Sequence, residues 1–214
     1  KSSNPTIAPY ASLGEVKLRI TAKASNVAQA KKLLAPIEEQ LRSRTGLKCY
    51  GSDDDTLSSI VLELLRQRGE TLGVAESCTG GGIGAALSAI PGASDIFIGG
   101  IISYSNSIKN KLLEVPSAIL NEYGSVSDQV VQAMAKGARK KLGSDWAIAI
   151  SGIAGPSGGS KEKPVGCVHI AVAGPKICET SFKNFGAHIS RTAIQKLSVL
   201  RGLDQLRILL LTSS

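Results

Sequence analysis

The stretch "TLGVAESCTGGGIGAALSAIPGA", Thr71 to Ala93, constrains the fold more than any other part of the chain. A short apolar run, three consecutive glycines (Gly80, Gly81 and Gly82) and an alanine-rich segment predict a strand, a tight turn and a helix. Such a turn presents free backbone N–H groups at a helix N-terminus, where an anion or a developing oxyanion can be held. The missing Cβ atoms let a substrate approach the backbone closely. "SCTGGG" matches neither GxGxxG nor a Walker A pattern, so neither a dinucleotide nor a nucleoside triphosphate cradle follows. Ser77 ends the predicted strand, where exposed nucleophiles of α/β enzymes often sit.

The same alternation of apolar strands and amphipathic helices runs through the C-terminal three-quarters of the chain. The helix Leu57 to Arg68, preceded by Thr56 and stopped at Gly69, leads into "TLGVAES" and the helix after the glycines. "DIFIGGIISYS" and "PSAILNEYG" follow, then the helix "SDQVVQAMAKGARKKLG" and the apolar run "WAIAIS". A long glycine loop separates these from "VGCVHIAVAG", "CETSFKNFG" and a final helix from about Ile189 to Leu211. This order predicts a three-layer α/β sandwich around one central, mostly parallel sheet. Ile194, Leu197, Leu200 and Leu203 lie at helical spacing on the last helix and suit either the core or an interface between copies such as a homodimer.

Ahead of it, residues 1–52 read as a linker, "KSSNPTIAPYASLGE", and a small α+β unit. Val16 to Lys23 alternates with period two, as a half-buried strand does. The next helix opens at Ser25 and Asn26, ends on Gly46 and contains a candidate kink at Pro36, before a short strand "LKCYG". The acidic stretch after it marks the boundary with residues 53–214.

A serine hydroxyl needs a base to take its proton. The chain has two histidines. His169 lies in a strand run and His188 in a loop, and neither carries a feature marking it as the partner of Ser77. A buried lysine tuned towards neutrality is the alternative, and "ISYSNSIKNK" supplies Lys109 with Tyr104 just after a strand. A second glycine loop, "ISGIAGPSGGSKEKPVG", starts at Ser151 and Gly152 and is long enough to be functional.

Composition narrows the classes. With 25 basic and 17 acidic residues the net charge is +8, which favours anionic partners without choosing among them. The four cysteines form no CxxC pair, so no structural zinc site is expected, and no metal or cofactor is called for. Few, widely spaced cysteines suit a reducing, cytoplasmic compartment. No window approaches the roughly 18 apolar residues of a membrane span, so a soluble chain without membrane attachment is expected. A start at Lys1 without methionine is expected of a fragment of a longer protein.

"AESCTGG", "YSNSIK", "YGSVSDQVV", "ISGIAGPSGGSKEKPVG" and the final helix, in this order and spacing, resemble the C-terminal domain of the CinA (competence/damage-inducible) family, a nicotinamide-nucleotide amidase domain. The resemblance runs from about Asp54 to Leu211, and the segment before it resembles the family's small KH-type domain. It implies hydrolysis of the amide of nicotinamide mononucleotide to nicotinate mononucleotide and ammonia, without a metal. It further implies Ser77 as nucleophile, Lys109 as general base and Tyr104 as a helper in the proton path. Glu76, Thr79, Gly80, Gly81, Ser151 and Gly152 fall at the substrate, and Arg191 matches an arginine suited to its phosphate. Gln195 stands where relatives carry a second arginine, and Cys78 where they often carry leucine. A molybdopterin-binding-type N-terminal domain would precede this chain in the family.

A nucleic-acid or partner-binding module without turnover is the competing reading, prompted by the KH-like segment and the basic balance. The first fifty residues lack a GxxG loop and aromatics make up 4% of the chain, so nucleic acid is not the expected partner.

Overall fold

The computed structural model describes residues 4–213, which divide into two compact units between Ser52 and Asp53. Among the described residues no helix is long and apolar enough to cross a membrane.

In the first unit, β1 (Thr6–Ser12) and β2 (Glu15–Thr21) form an antiparallel hairpin, in register from Thr6 opposite Thr21 to Ser12 opposite Glu15. The part of the opening segment read as linker is therefore a strand. Pro9 does not prevent it, because in a two-stranded ribbon each strand is an edge and a missing N–H can face solvent. Asn4 closes the open end with two 2.8 Å hydrogen bonds to the backbone of Lys23, one donated by its amide and one accepted. Helix α1 (Val27–Thr45) begins where the Asn26 side chain accepts from the Gln29 N–H and continues through Pro36. The expected strand "LKCYG" is absent; Gly46–Lys48 instead form a 3₁₀ turn, closed by the Cys49 N–H on the Gly46 carbonyl.

The second unit holds a five-stranded sheet in the order β4-β3-β5-β6-β7. Its strands are β3 (Leu72–Glu76), β4 (Phe97–Ile102), β5 (Trp146–Gly152), β6 (Cys167–Ala173) and β7 (Cys178–Asn184). β3 pairs in parallel with β4 and β5, whereas β6 pairs antiparallel with β5 and β7. Four strands thus point one way, and β6 alone opposes them. The sheet is mixed, with helices on both faces, and it gives the three-layer sandwich.

The two faces differ in side-chain size. Towards α6 (Asp128–Leu142) the strands present Ala75, Ala147, Ala149, Ala171 and Ala173, and α4 (Asn106–Leu113) and α5 (Ser117–Tyr123) join that layer. The other face presents Val74, Ile148 and Ile150, all fully or nearly fully buried, to the layer of α2 (Leu57–Arg68), α3 (Gly82–Ser88) and α7 (Arg191–Thr212). Small residues let α6 lie close to the sheet. Gly137 lets α4 lie close to α6 in turn, since a Cβ there would stand 2.0 Å from the Leu113 carbonyl oxygen. Of the expected stripe on α7, Ile194 and Leu203 are buried in the core, joined by Leu206 and Leu210, while Leu197 and Leu200 are half-buried.

β3 is the first strand of the sheet and its successors lie on opposite sides of it. The crevice at its C-terminal end is therefore the switch point at which open α/β sheets place their ligands.

Candidate active site

Ser77 follows β3, still tied to β5 by its N–H on the Ile150 carbonyl at 3.0 Å. The chain then turns through Gly80 (φ 62°) and Gly81 (φ 102°), left-handed values that glycine adopts without a steric penalty. On the neighbouring strand, β4 ends at Ile102, and Ser105 caps α4 by accepting from the Ile108 N–H. One helical turn on, Lys109 points into the protein with only 1% of its surface exposed. Its Nζ lies 2.9 Å from Ser77 Oγ, 2.7 Å from the Ser103 carbonyl oxygen and 3.2 Å from the Tyr104 carbonyl oxygen. Burial pushes the Lys109 ammonium down from 10.5 to about 8, with Cys78 a minor influence in the opposite direction. In the neutral form two N–H bonds can stay on the two carbonyls while the lone pair faces the Ser77 hydroxyl.

The glycine turn departs from expectation. Glu76, 1% exposed, folds its carboxylate back under α3 and accepts from the N–H groups of Gly81 (3.1 Å), Ile83 (3.0 Å) and Gly84 (2.9 Å). A carboxylate there complements the positive end of the helix. It also leaves Glu76 positioned to hold the turn rather than to touch a substrate, and it takes up the Gly81 amide. The Gly80 and Gly82 amides are taken as well, by the carbonyls of Ser77 and Thr79. The turn N–H groups with no acceptor on another described residue are those of Cys78 and Thr79, directly beside Ser77, and the Cys78 N–H lies against its own sulfur. Thr79 Oγ1 is likewise buried without a partner. The donor set for an oxyanion thus shrinks from the whole turn to Cys78 and Thr79.

Other expected positions are sorted in the same way. The Tyr104 hydroxyl accepts from Arg191 Nη2 at 2.9 Å, so its bond is to Arg191 and its main-chain carbonyl is what meets Lys109. Arg191 opens α7 and also donates from Nη1 to the Gly155 carbonyl at 2.8 Å, fastening the second glycine loop to Tyr104. Ser151, 1% exposed, gives its hydroxyl proton to the Ser125 carbonyl at 2.7 Å and braces the segment before α6. Gly152 is a packing position, because a Cβ there would lie 2.7 Å from Val168 Cγ2.

Two contributors went unread in the sequence, and a third, Gln195, was read only as a departure from the family's arginine. The Ser103 carbonyl orients Lys109 and Gly137 seats α4, and neither carries a local signal. Gln195 donates to the Cys78 carbonyl at 2.8 Å and ties the nucleophile turn to α7. His169 pairs with Asp128 at 2.8 Å and stacks near Phe182, outside the Ser77–Lys109 contact. Cys78 is buried, and burial pushes its thiol up to about 12, which makes it a packing residue.

A mixed five-stranded sheet between two helical layers, with a buried serine–lysine pair at its switch point, defines the class of this protein as a three-layer α/β sandwich. Residues 54–210 match the model of the CinA C-terminal domain and residues 1–51 that of the damage-inducible protein CinA KH domain, so the chain belongs to the CinA family. It is 63% identical over 214 residues to a CinA-like protein of Prochlorococcus marinus strain MIT 9313, covering 100% of this chain and 50% of that protein. A CinA-like protein of Parasynechococcus marenigrum strain WH8102 is 59% identical over 211 residues, covering 99% of this chain and 50% of that protein. The chain thus spans about half the length of these relatives. Among solved structures, the competence/damage inducible protein CihA from Agrobacterium tumefaciens matches with a TM-score of 0.71 at 36% identity, over 77% of this chain and 99% of that one. A CinA superfamily protein from Klebsiella pneumoniae matches with a TM-score of 0.69 at 34% identity, over 72% and 96%.

Proposed function

We propose that the second unit is a nicotinamide-nucleotide amidase that hydrolyses nicotinamide mononucleotide to nicotinate mononucleotide and ammonia. The observation that carries the reading is the 2.9 Å contact between Ser77 Oγ and a buried lysine whose pKa is lowered to about 8. Neutral Lys109 takes the Ser77 proton as Oγ attacks the carboxamide carbon, and the resulting oxyanion lies against the Cys78 and Thr79 amides. The protonated Lys109 then gives its proton to the departing nitrogen, ammonia leaves, and a nicotinyl ester remains on Ser77. Lys109 again takes a proton as water adds to the ester carbon, and it returns that proton to Ser77 Oγ as the C–Oγ bond breaks and nicotinate mononucleotide leaves. Glu76 and Gln195 act as positioning residues through the turn. Arg191, at the mouth of the site, is the receptor for the substrate phosphate.

The test is ammonia release from nicotinamide mononucleotide by the whole chain and by Ser77→Ala and Lys109→Ala. Each replacement is expected to lower kcat on the order of 10³-fold or more. An active chain whose rate survives both replacements refutes the assignment.

A further inference from the structure

At the end of the sheet opposite Ser77 lies an open cavity of about 760 Å³ between the C-terminal end of α6 and the turn joining β6 to β7. Four cations line it, Lys136, Arg139 and Lys140 from α6 and Lys176 from the turn, against a single carboxylate, Asp145. That carboxylate is already engaged, accepting at 2.8 Å from both the backbone N–H and the hydroxyl of Thr71. Lys140 is shared with Glu114. Arg139 is oriented by its Nε, which donates to the Asp145 carbonyl at 2.9 Å and leaves the outer guanidinium nitrogens for another acceptor. Lys136 and Lys176 have no hydrogen-bonding or ion-pair partner among the described residues.

Basic side chains in the last turn of a helix offset its dipole, which accounts for Arg139 and Lys140. It does not account for Lys176, which lies on a different element, or for Lys136, a turn further back. Residues 53–214 carry 16 basic and 14 acidic side chains, a surplus of only two, so four cations around one concavity are a local concentration. Ala173 and Ile177 add apolar wall beside them. The volume falls within the range of roughly 300–1,000 Å³ of small-molecule sites.

We propose that this basin is a second binding site, for a phosphorylated small molecule of about mononucleotide size. Its phosphate sits among Lys136, Arg139 and Lys176, and its body lies against Ala173 and Ile177. The site is about 17 Å along β3 from Ser77 at the strand's rise per residue, so occupancy of one does not block the other.

The protein contains its own reporter. Its single tryptophan, Trp146, packs its ring against Gly174 on the lip of the basin, where a Cβ would lie 2.5 Å from the ring. Titration of the whole chain with pyrophosphate and with AMP, followed by tryptophan fluorescence against sodium chloride at matched ionic strength, is expected to saturate with the phosphate compounds only. Lys136→Glu with Lys176→Glu is expected to weaken that binding on the order of tenfold or more, while Lys111→Glu, on the exposed face of α4, leaves it unchanged. Tighter binding of AMP than of pyrophosphate assigns the apolar wall to a nucleoside. Equal affinity leaves the apolar wall without a role and overturns the mononucleotide assignment. The proposal is overturned if chloride reproduces the response, if no response saturates, if the double variant binds as tightly as the wild type, or if only long oligonucleotides bind.

Discussion

In the proposed mechanism Lys109 must lose its proton before it can accept one from Ser77, and this makes the rate a titration of a buried amine. With the pKa lowered from 10.5 to about 8, about half of the amine is neutral at pH 8, about 9% at pH 7 and about 1% at pH 6. The kcat/KM for nicotinamide mononucleotide should therefore rise with unit slope through pH 6.5–8 and level off above, a window lying above the second ionisation of a phosphate ester at about 6. The same shift has a thermodynamic face. The unfolded chain keeps this proton up to about 10.5 and the folded chain releases it near 8, so between these values the unfolded state binds more protons and stability rises with pH. This lowering corresponds to about 3 kcal/mol, fully developed only above the unfolded value and absent below the folded one. Urea unfolding of the wild type and of Lys109→Met over pH 7–10.5 isolates this contribution as the difference between the two pH slopes. A rate limb centred near 10.5, or parallel stability slopes in the two proteins, would show that the amine is not desolvated and would remove the basis for calling it the base.

Gly137→Ala should cost about 3 kcal/mol or more in thermal or urea unfolding, because the new methyl meets the Leu113 carbonyl at 2.0 Å and α4 must move, carrying Lys109 with it. Glu76→Gln replaces an acceptor oxygen with an N–H₂ group facing amide donors. It is expected to lower stability by about 2 kcal/mol and to depress kcat while leaving KM near its wild-type value; a rise in KM alone would make Glu76 a substrate contact. Cys78, with its thiol pushed up to about 12 and its side chain buried, should resist alkylation at pH 8 in the native protein while partly exposed Cys49 reacts. Peptide mapping by mass spectrometry before and after unfolding reads this directly.

Patterns with a local cause were legible from the sequence. The apolar period of β5 and β6, the glycine turn after Ser77 and the caps at Asn26, Thr56 and Gly69 each depend on neighbours a few residues away, and each stands in the structure. The Ser77–Lys109 pair was legible through its motifs, although a sequence separation of 32 gave no distance. β1 was misread because Pro, Ser and Asn look like a linker until a partner strand supplies the register. The glycine turn was misjudged for a similar reason. Spacing shows that amides are free at a helix start, but not that Glu76 turns back to occupy three of them.

The sequence by itself therefore determined which segments are strands and helices in the second unit, where the chain turns tightly, and which hydroxyl and which amine to seek at the strand ends. Tertiary structure alone decided that Lys109 is desolvated, that the turn amides not taken by another residue are those of Cys78 and Thr79, that Arg191 joins Tyr104 to Gly155, and that four cations from α6 and the β6–β7 turn surround one basin. The physical reason is one of range. Backbone conformation and amphipathic period are set by residues within a turn or a strand of one another, whereas burial, competition for hydrogen-bond donors and summed charge depend on groups that only the packed chain brings together.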